Sequence, residues 1–553
     1  MGQLNMRRLL FEGQQDGKRF FLVMTLVSGV ANAALVGVIN NAAETLRQGG
    51  DVSLQLMTVY ALVLALFLLT NRATLLYANR LVQSRIEAFR RRLVKKISRA
   101  DLRVIEQLGE GEVHVTVSQE TDHLSQSIPL IIGAAQSGFL LLFLLLYIAT
   151  LSLVSFVLVS GFTAAALYFF VARQKALATA LVDVHHREAD MLDTLGHFTK
   201  GFQEIRLNAA KNDALFDHFG AVAKRLEATL LGLGNRWVAL IQFSNAFIFL
   251  LVGAVVFVLP IFFAGYTDTI YKITGATVFA LGPFAAITAV VRLIGRAEAG
   301  LSHLYGLEAH LEQNARPARP ANATGQSDAA FTGFSEISLD QATFDYVNDA
   351  GEVMFAAGPL DLTLHKGEIL FLTGGNGSGK STALKLLSGL YRVTGGALRC
   401  DGTAVKDTDL LAFSALFSAI FTDFHLFDRL YGFDDIPPQR VTDLIKRMKL
   451  QDKVGFENGS FTTRDLSTGQ RKRLALIVAL LEDSPIFVFD EWAADQDANF
   501  RYLFYTEILP DLKSRGKTII AVTHDDQYWH CCDRRVTLDL GMVLPNGAQN
   551  GAV

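Results

Sequence analysis

Gly374-Gly375-Asn376-Gly377-Ser378-Gly379-Lys380-Ser381-Thr382 follows directly on the apolar run Ile369-Leu370-Phe371-Leu372. The spacing is G-x-x-x-x-G-K-[ST] behind a buried strand, which reads as a phosphate loop rather than a chance glycine-rich turn. Glycines let successive backbone N–H groups curl around phosphate oxygens. Lys380 is placed to reach the β- and γ-phosphates, and Ser381 to bind Mg²⁺. A helix opening near Lys380 aims its positive end at the same anion. The expected ligand is a nucleoside triphosphate.

The loop sits far along a chain of 553 residues, long enough for two or more domains. Half of the residues are hydrophobic, 19% are charged, and the mean hydropathy is +0.29. That is too apolar for an ordinary soluble protein, and a net charge of −3 argues against general nucleic-acid binding. The apolar residues concentrate before residue 300. Six stretches there approach or exceed the ~20 residues that cross a bilayer: 20–40, 54–77, 128–150, 151–171, 237–263 and 276–295. The third and fourth nearly touch, which predicts a very tight hairpin at residues 150–152. The run Phe139-Leu140-Leu141-Leu142-Phe143-Leu144-Leu145-Leu146 has no polar face, so buried helices of a soluble protein do not account for it.

Loop charge orients the spans. Residues 79–127 carry Arg80, Arg85, Arg90, Arg91, Arg92, Lys95, Lys96, Arg99 and Arg103, and residues 173–236 are similarly basic. The short loops 42–53 and 264–275 hold one basic residue each, Arg47 and Lys272. Positive loops stay inside, so the long loops and the N-terminus are expected in the cytoplasm. Six spans then return the chain to the side where ATP is found. Arg90-Arg91-Arg92 is read as orientation and a solvated helix face rather than an RNA site. The first span is too long for a signal peptide, and Gly2 lacks the downstream Ser/Thr of a myristoylation signal. Cys400, Cys531 and Cys532 imply no disulfide framework, and His530-Cys531-Cys532 lacks a second ligand cluster for a metal.

Residues 1–311 are expected to form a transmembrane domain and residues 312–333 a linker, which contains Arg316-Pro317-Ala318-Arg319-Pro320. Residues 334–553 are expected to form an α/β nucleotide-binding domain, from their alternating strand-like and helix-like runs. The two long loops should extend the membrane helices into the cytoplasm. Their far turns, near residues 109–122 and 204–208, are read as contact points for the ATPase domain.

Three further motifs follow the phosphate loop. Leu466-Ser467-Thr468-Gly469-Gln470 opens a helix rich in Arg and Leu. Ile486-Phe487-Val488-Phe489 runs into Asp490-Glu491, which puts Asp490 near Mg²⁺ and makes Glu491 the natural general base. Thr518-Ile519-Ile520-Ala521-Val522 leads to Thr523-His524, placing the histidine at the carboxyl end of a strand near the γ-phosphate.

In order and spacing these motifs resemble the ATP-binding cassette (ABC) family. Six spans ahead of one cassette resemble an ABC exporter half-transporter over the whole chain. The resemblance implies ATP and Mg²⁺ as cofactors and a homodimer holding two ATP molecules. Ser467, Gly469 and Gln470 of one subunit then meet the ATP held by Gly374, Asn376, Gly377, Ser378, Gly379, Lys380, Ser381 and Thr382 of the other. It further implies Tyr346 stacked on adenine, Asp497 as the D-loop aspartate, and Glu491, His524 and Lys380 as the catalytic set. Where most ABC exporters continue D-E with A-T-S-A-L-D, this chain reads Trp492-Ala493-Ala494-Asp495-Gln496-Asp497. That version looks like the cyclic-peptide exporter branch, whose cargoes include pyoverdine-precursor siderophore peptides, syringomycin-type lipopeptides and lasso-peptide microcins. It implies ATP-driven export of such a cargo across a bacterial inner membrane. The alternative is a lipid or multidrug flippase of the same fold.

The chain departs from the family in places. Thr422 stands where the Q-loop glutamine is expected, with Asp423 beside it as a substitute metal or water contact. Thr468 replaces the middle glycine of the signature, and Ala498 a proline. No Cys-His peptidase domain precedes the first span, which implies no leader cleavage in cis. Arg72 and Arg292 are candidate cavity residues for a cargo carboxylate, and Gly282-Pro283 should bend the sixth helix.

Overall fold

The computed structural model describes residues 8, 16–109, 113, 116–262, 270–316, 331, 333–348, 352–433 and 435–544. The chain divides into two compact units. One comprises residues 1–95 and 110–310, and the other residues 96–109 and 311–553.

The first unit is helical. Among the described residues, six helices are long and apolar enough to cross a membrane: Val23–Arg47, Leu54–Ile97, Thr116–Leu151, Leu153–Phe170, Ala209–Ile261 and Ile270–Gln313. Each contains or largely overlaps one of the six apolar stretches. The helix Leu54–Ile97 has 44 residues, about 66 Å at the usual rise and twice the ~30 Å hydrocarbon layer. Its basic second half therefore extends beyond the span, as expected for a long polar loop. At the tight hairpin a single residue, Ser152, leaves helical geometry (φ −163°, ψ 120°). Its N–H donates to the Ile148 carbonyl at 2.8 Å, and its Oγ accepts from the Ser155 N–H at 3.1 Å. The same residue thus closes one helix and caps the next. The sixth helix is unbroken through Pro283. Arg72 is exposed on its helix. The side chain of Arg292 lies outside the described residues, as do residues 110–112 of the first expected contact turn and 317–330 of the linker.

Among the described residues, the second unit holds two main sheets and a small two-stranded one. Its strands are β1 (Glu336–Val347), β2 (Val353–His365), β3 (Ile369–Thr373), β4 (Gly395–Cys400), β5 (Thr403–Ala404), β6 (Phe417–Ile420), β7 (Phe456–Glu457), β8 (Ser460–Phe461), β9 (Ile486–Asp490), β10 (Thr518–Val522), β11 (Arg534–Asp539) and β12 (Met542–Val543). An antiparallel sheet runs β2-β1-β4-β5, and a six-stranded sheet runs β12-β11-β3-β10-β9-β6. Within the latter, β11, β3, β10, β9 and β6 are mutually parallel. Every residue of β3, β9 and β10 is buried. Continuous rather than alternating burial is what a parallel sheet covered on both faces requires. The strands Ile369–Thr373, Ile486–Asp490 and Thr518–Val522 lie side by side, so the three motifs at their carboxyl ends come together.

The short helix Leu102–Leu108 belongs to this second unit. Asp101 caps it by accepting from the Arg103 N–H at 3.2 Å. Arg103 donates to the main-chain carbonyls of Asp345 and Val347. Glu106 accepts from Lys385 Nζ at 2.7 Å and from the Tyr391 hydroxyl. The observed contact with the cassette therefore starts before residue 109, upstream of the turn where it was expected. Arg103, read from sequence as an orientation charge, is one of the residues that makes it.

Candidate functional site

The phosphate loop owes its shape to glycine. Gly374, Gly377 and Gly379 have φ of 142°, 76° and 91°. At Gly374 a Cβ would also collide with the Leu538 carbonyl oxygen and the Ser378 Oγ. Gly374→Ala therefore combines a backbone region closed to L-residues with a steric clash. It should destabilise the loop by about 1–3 kcal/mol. The expected readout is weakened ATP binding in a nucleotide titration, and wild-type affinity in that variant would contradict the loop geometry.

Within the loop, Lys380 folds inward, its Nζ donating to the carbonyls of Gly374 (3.0 Å) and Gly375 (2.8 Å). Ser378 Oγ is buried and has no hydrogen-bond partner among the described residues. A buried orphan hydroxyl is costly, and an anion in the loop would relieve it. The helix Lys380–Leu387 starts at Gly379 with no side-chain cap, leaving its first N–H groups to the loop. Thr382 Oγ1 lies 3.0 Å from the Tyr346 hydroxyl, tying β1 to the first turn of this helix. The Tyr346 ring packs edge-on to Phe344, and the Arg103 guanidinium stands 5.7 Å from its centroid. Asn376 is exposed at the loop's crest.

β9 delivers Asp490, only 2% exposed, to this loop. Ser381 Oγ donates to Asp490 Oδ2 at 2.8 Å. Burial pushes the Asp490 carboxyl above the usual carboxylate range, with the Ser381 hydrogen bond opposing it and the charge of Glu491 adding to it. A buried carboxylate beside a hydroxyl is a pair of hard oxygens suited to a small divalent cation. Asp423 is exposed, on the turn after β6, and its charge is felt at Asp490. Thr422 is exposed on the same turn.

Glu491 follows immediately, in a left-handed conformation (φ 49°, ψ 35°). Its Oε1 lies 3.2 Å from Nε2 of His524. Both side chains are partly exposed, at 34% and 47%. The parallel register explains the meeting: Asp490 pairs with Val522, so the residues after each strand emerge together.

The signature segment forms a reciprocal cap. The Gln470 N–H donates to Ser467 Oγ at 3.4 Å, and the Ser467 N–H donates to Gln470 Oε1 at 3.2 Å. Ser467 and Thr468 are exposed, so the N-terminus of the helix Thr468–Glu482 faces solvent. Gly469 is fixed from behind: its carbonyl accepts from Gln496 Nε2 at 3.0 Å, and a Cβ there would strike the Asp495 carbonyl. Asp497 caps the next helix by accepting from the Phe500 N–H at 2.9 Å and pairs with Arg473 at 2.6 Å. The Phe500 amide, ahead of Arg473, holds the Asp497 carboxyl below the usual range.

The structure thus gathers Lys380, Ser381, Asp490, Glu491 and His524 at one end of the parallel sheet, with Tyr346 joined to them through Thr382. Lys472 and Trp492 lie behind Glu491, Lys472 not singled out by the sequence and Trp492 only as part of the segment after Asp490-Glu491. Trp492 directly follows Asp490-Glu491, and Lys472 lies two residues past Gln470.

Over 563 aligned residues the chain is 32% identical to ATP-binding protein SyrD of Pseudomonas syringae pv. syringae, spanning 97% of this chain and 95% of that relative. The chain belongs to the ABC exporters. The ABC transporter profile matches residues 357–494 of this exporter, from β2 through the residues after Glu491. A bacterial Atm1-family ABC exporter solved with ATP bound shares the fold, with a TM-score of 0.75 at 16% identity, over 95% of this chain and 93% of that one. The ATP-dependent lipid A-core flippase of Vibrio vulnificus is 26% identical over 48% of this exporter and 46% of the flippase. The exporter is therefore a half-transporter, an ATP-hydrolysing, multi-pass membrane protein with one cassette per chain.

Proposed function

We propose that this exporter moves a cyclic peptide, lipopeptide or siderophore precursor out across a bacterial inner membrane as a homodimer. The observation that carries the reading is the full-length similarity to SyrD, together with the Trp492–Asp497 segment in place of A-T-S-A-L-D. The flippase similarity, across 48% of the chain, supports the second reading of a lipid or drug substrate. ATPase of the purified dimer in nanodiscs discriminates them. Stimulation by a cyclic or lipidated peptide supports the first. Stimulation by lipid A or drugs and by no peptide supports the second.

In this reading Lys380 leaves its two carbonyl partners to meet the β- and γ-phosphates, while the loop N–H groups and Ser378 Oγ hold their oxygens. Ser381 and Asp490 are the oxygens that would hold Mg²⁺, which when bound neutralises charge on the phosphates. Tyr346 faces the nucleobase. Glu491 accepts the proton of the attacking water, and His524, 3.2 Å from its carboxylate, orients it and contacts the γ-phosphate. Ser467, Gly469 and Gln470 present a solvent-facing helix N-terminus to the ATP of the partner subunit. His524→Ala should lower the ATPase kcat by roughly 10- to 100-fold, because a misplaced base costs that much. An unchanged kcat would remove His524 from the site.

A further inference from the structure

Glu491 is not a residue that adopts positive φ without help. A non-glycine side chain in the left-handed region persists only where its surroundings enforce it. The Glu491 N–H donates to the Val522 carbonyl at 3.2 Å. Its carbonyl accepts from Lys472 Nζ at 2.8 Å. Both ends of this residue's backbone are therefore gripped, one by the neighbouring strand and one by a lysine. Lys472 is 3% exposed and lies on the helix Thr468–Glu482, five residues beyond Ser467. Its ammonium also pairs with Asp495 Oδ2 at 2.7 Å. Its own carbonyl accepts from Trp492 Nε1 at 2.9 Å. A buried ammonium needs both a counter-charge and acceptors, and here one acceptor is the main chain of the candidate base.

We propose that Lys472 is a positioning residue that holds the backbone of Glu491 in its left-handed conformation and so aims the carboxylate at the attacking water. The proposal rests on the reading of Glu491 as the general base. It adds a physical link: the helix whose first turn faces the partner's ATP also grips the base that serves its own.

The test uses the full-length dimer in nanodiscs with ATP as the probe. Lys472→Met keeps the length of the side chain and removes the donor. It should lower kcat by about 10- to 100-fold, the scale of a misaimed catalytic group, with KM for ATP within about threefold of wild type. Lys472→Gln, which retains an N–H donor, should recover much of that loss. Because Lys472 acts through Glu491, adding Lys472→Met to Glu491→Gln should cause no further fall. Wild-type kcat in Lys472→Met, a raised KM at unchanged kcat, or an equal further fall in the Glu491→Gln background would each overturn the proposal. If Lys472→Met does not fold, Lys472→Arg, which keeps the buried charge but moves the donor off the Glu491 carbonyl, is read by the same criteria. Near-wild-type hydrolysis by Glu491→Gln alone would instead defeat the base assignment, a separate result from an inert Lys472→Met.

Discussion

Glu491→Gln will lower the rate of ATP hydrolysis by about two to four orders of magnitude, the contribution of a positioned general base. The substitution is nearly isosteric. The Val522 and Lys472 contacts involve only the main chain of residue 491, so they survive it. The amide can still face His524 Nε2, which lies 3.2 Å from Oε1. Asp490 and the phosphate loop are untouched, so ATP binding should stay close to wild type. The loss therefore falls on kcat rather than on KM, and steady-state kinetics at saturating ATP measure it. A variant hydrolysing at more than about a tenth of the wild-type rate would mean that another group takes the proton.

Trp492→Ala will destabilise the cassette by about 3–5 kcal/mol, the usual cost of truncating a buried aromatic. Trp492 is 1% exposed and stacks on Phe504 with centroids 4.4 Å apart and planes 29° apart. Phe489 and Phe500 flank it. The change empties this pocket and removes the indole N–H that donates to the Lys472 carbonyl. The midpoint of thermal unfolding, followed by protease resistance of the cassette, should fall by roughly 10 °C. Trp492→Phe refills much of the volume without the N–H and should fall in between. An unchanged midpoint in Trp492→Ala would show that the pocket collapses without cost.

These two neighbours show what the sequence carried and what it did not. Glu491 could be found because a buried strand announces itself as Ile486-Phe487-Val488-Phe489, and the acid at its end inherits the position. The same logic picks out Lys380, Asp490 and His524 as candidates, and the bilayer length picks out the six helices. Trp492 was legible only as an unusual letter, since stacking on Phe504 depends on a helix twelve residues away. Lys472 sits in a helix legible only as rich in Arg and Leu, because nothing local says which of Arg471, Lys472 and Arg473 is buried. Arg103 was counted toward loop charge for the same reason. Its partners, the carbonyls of Asp345 and Val347, lie more than 240 residues along the chain. The reciprocal cap of Ser467 and Gln470 was written in the spacing, but the fixing of Gly469 by Gln496 and Asp495 was not.

ATP turnover at Glu491 is proposed to drive a peptide outward, and transport into inside-out proteoliposomes tests this most directly. A fluorescent cyclic lipopeptide should accumulate in the lumen when ATP is added to the wild-type dimer. It should fail to accumulate with Glu491→Gln. Equal accumulation by both proteins, or ATP hydrolysis by the wild type with no peptide entering, would contradict it.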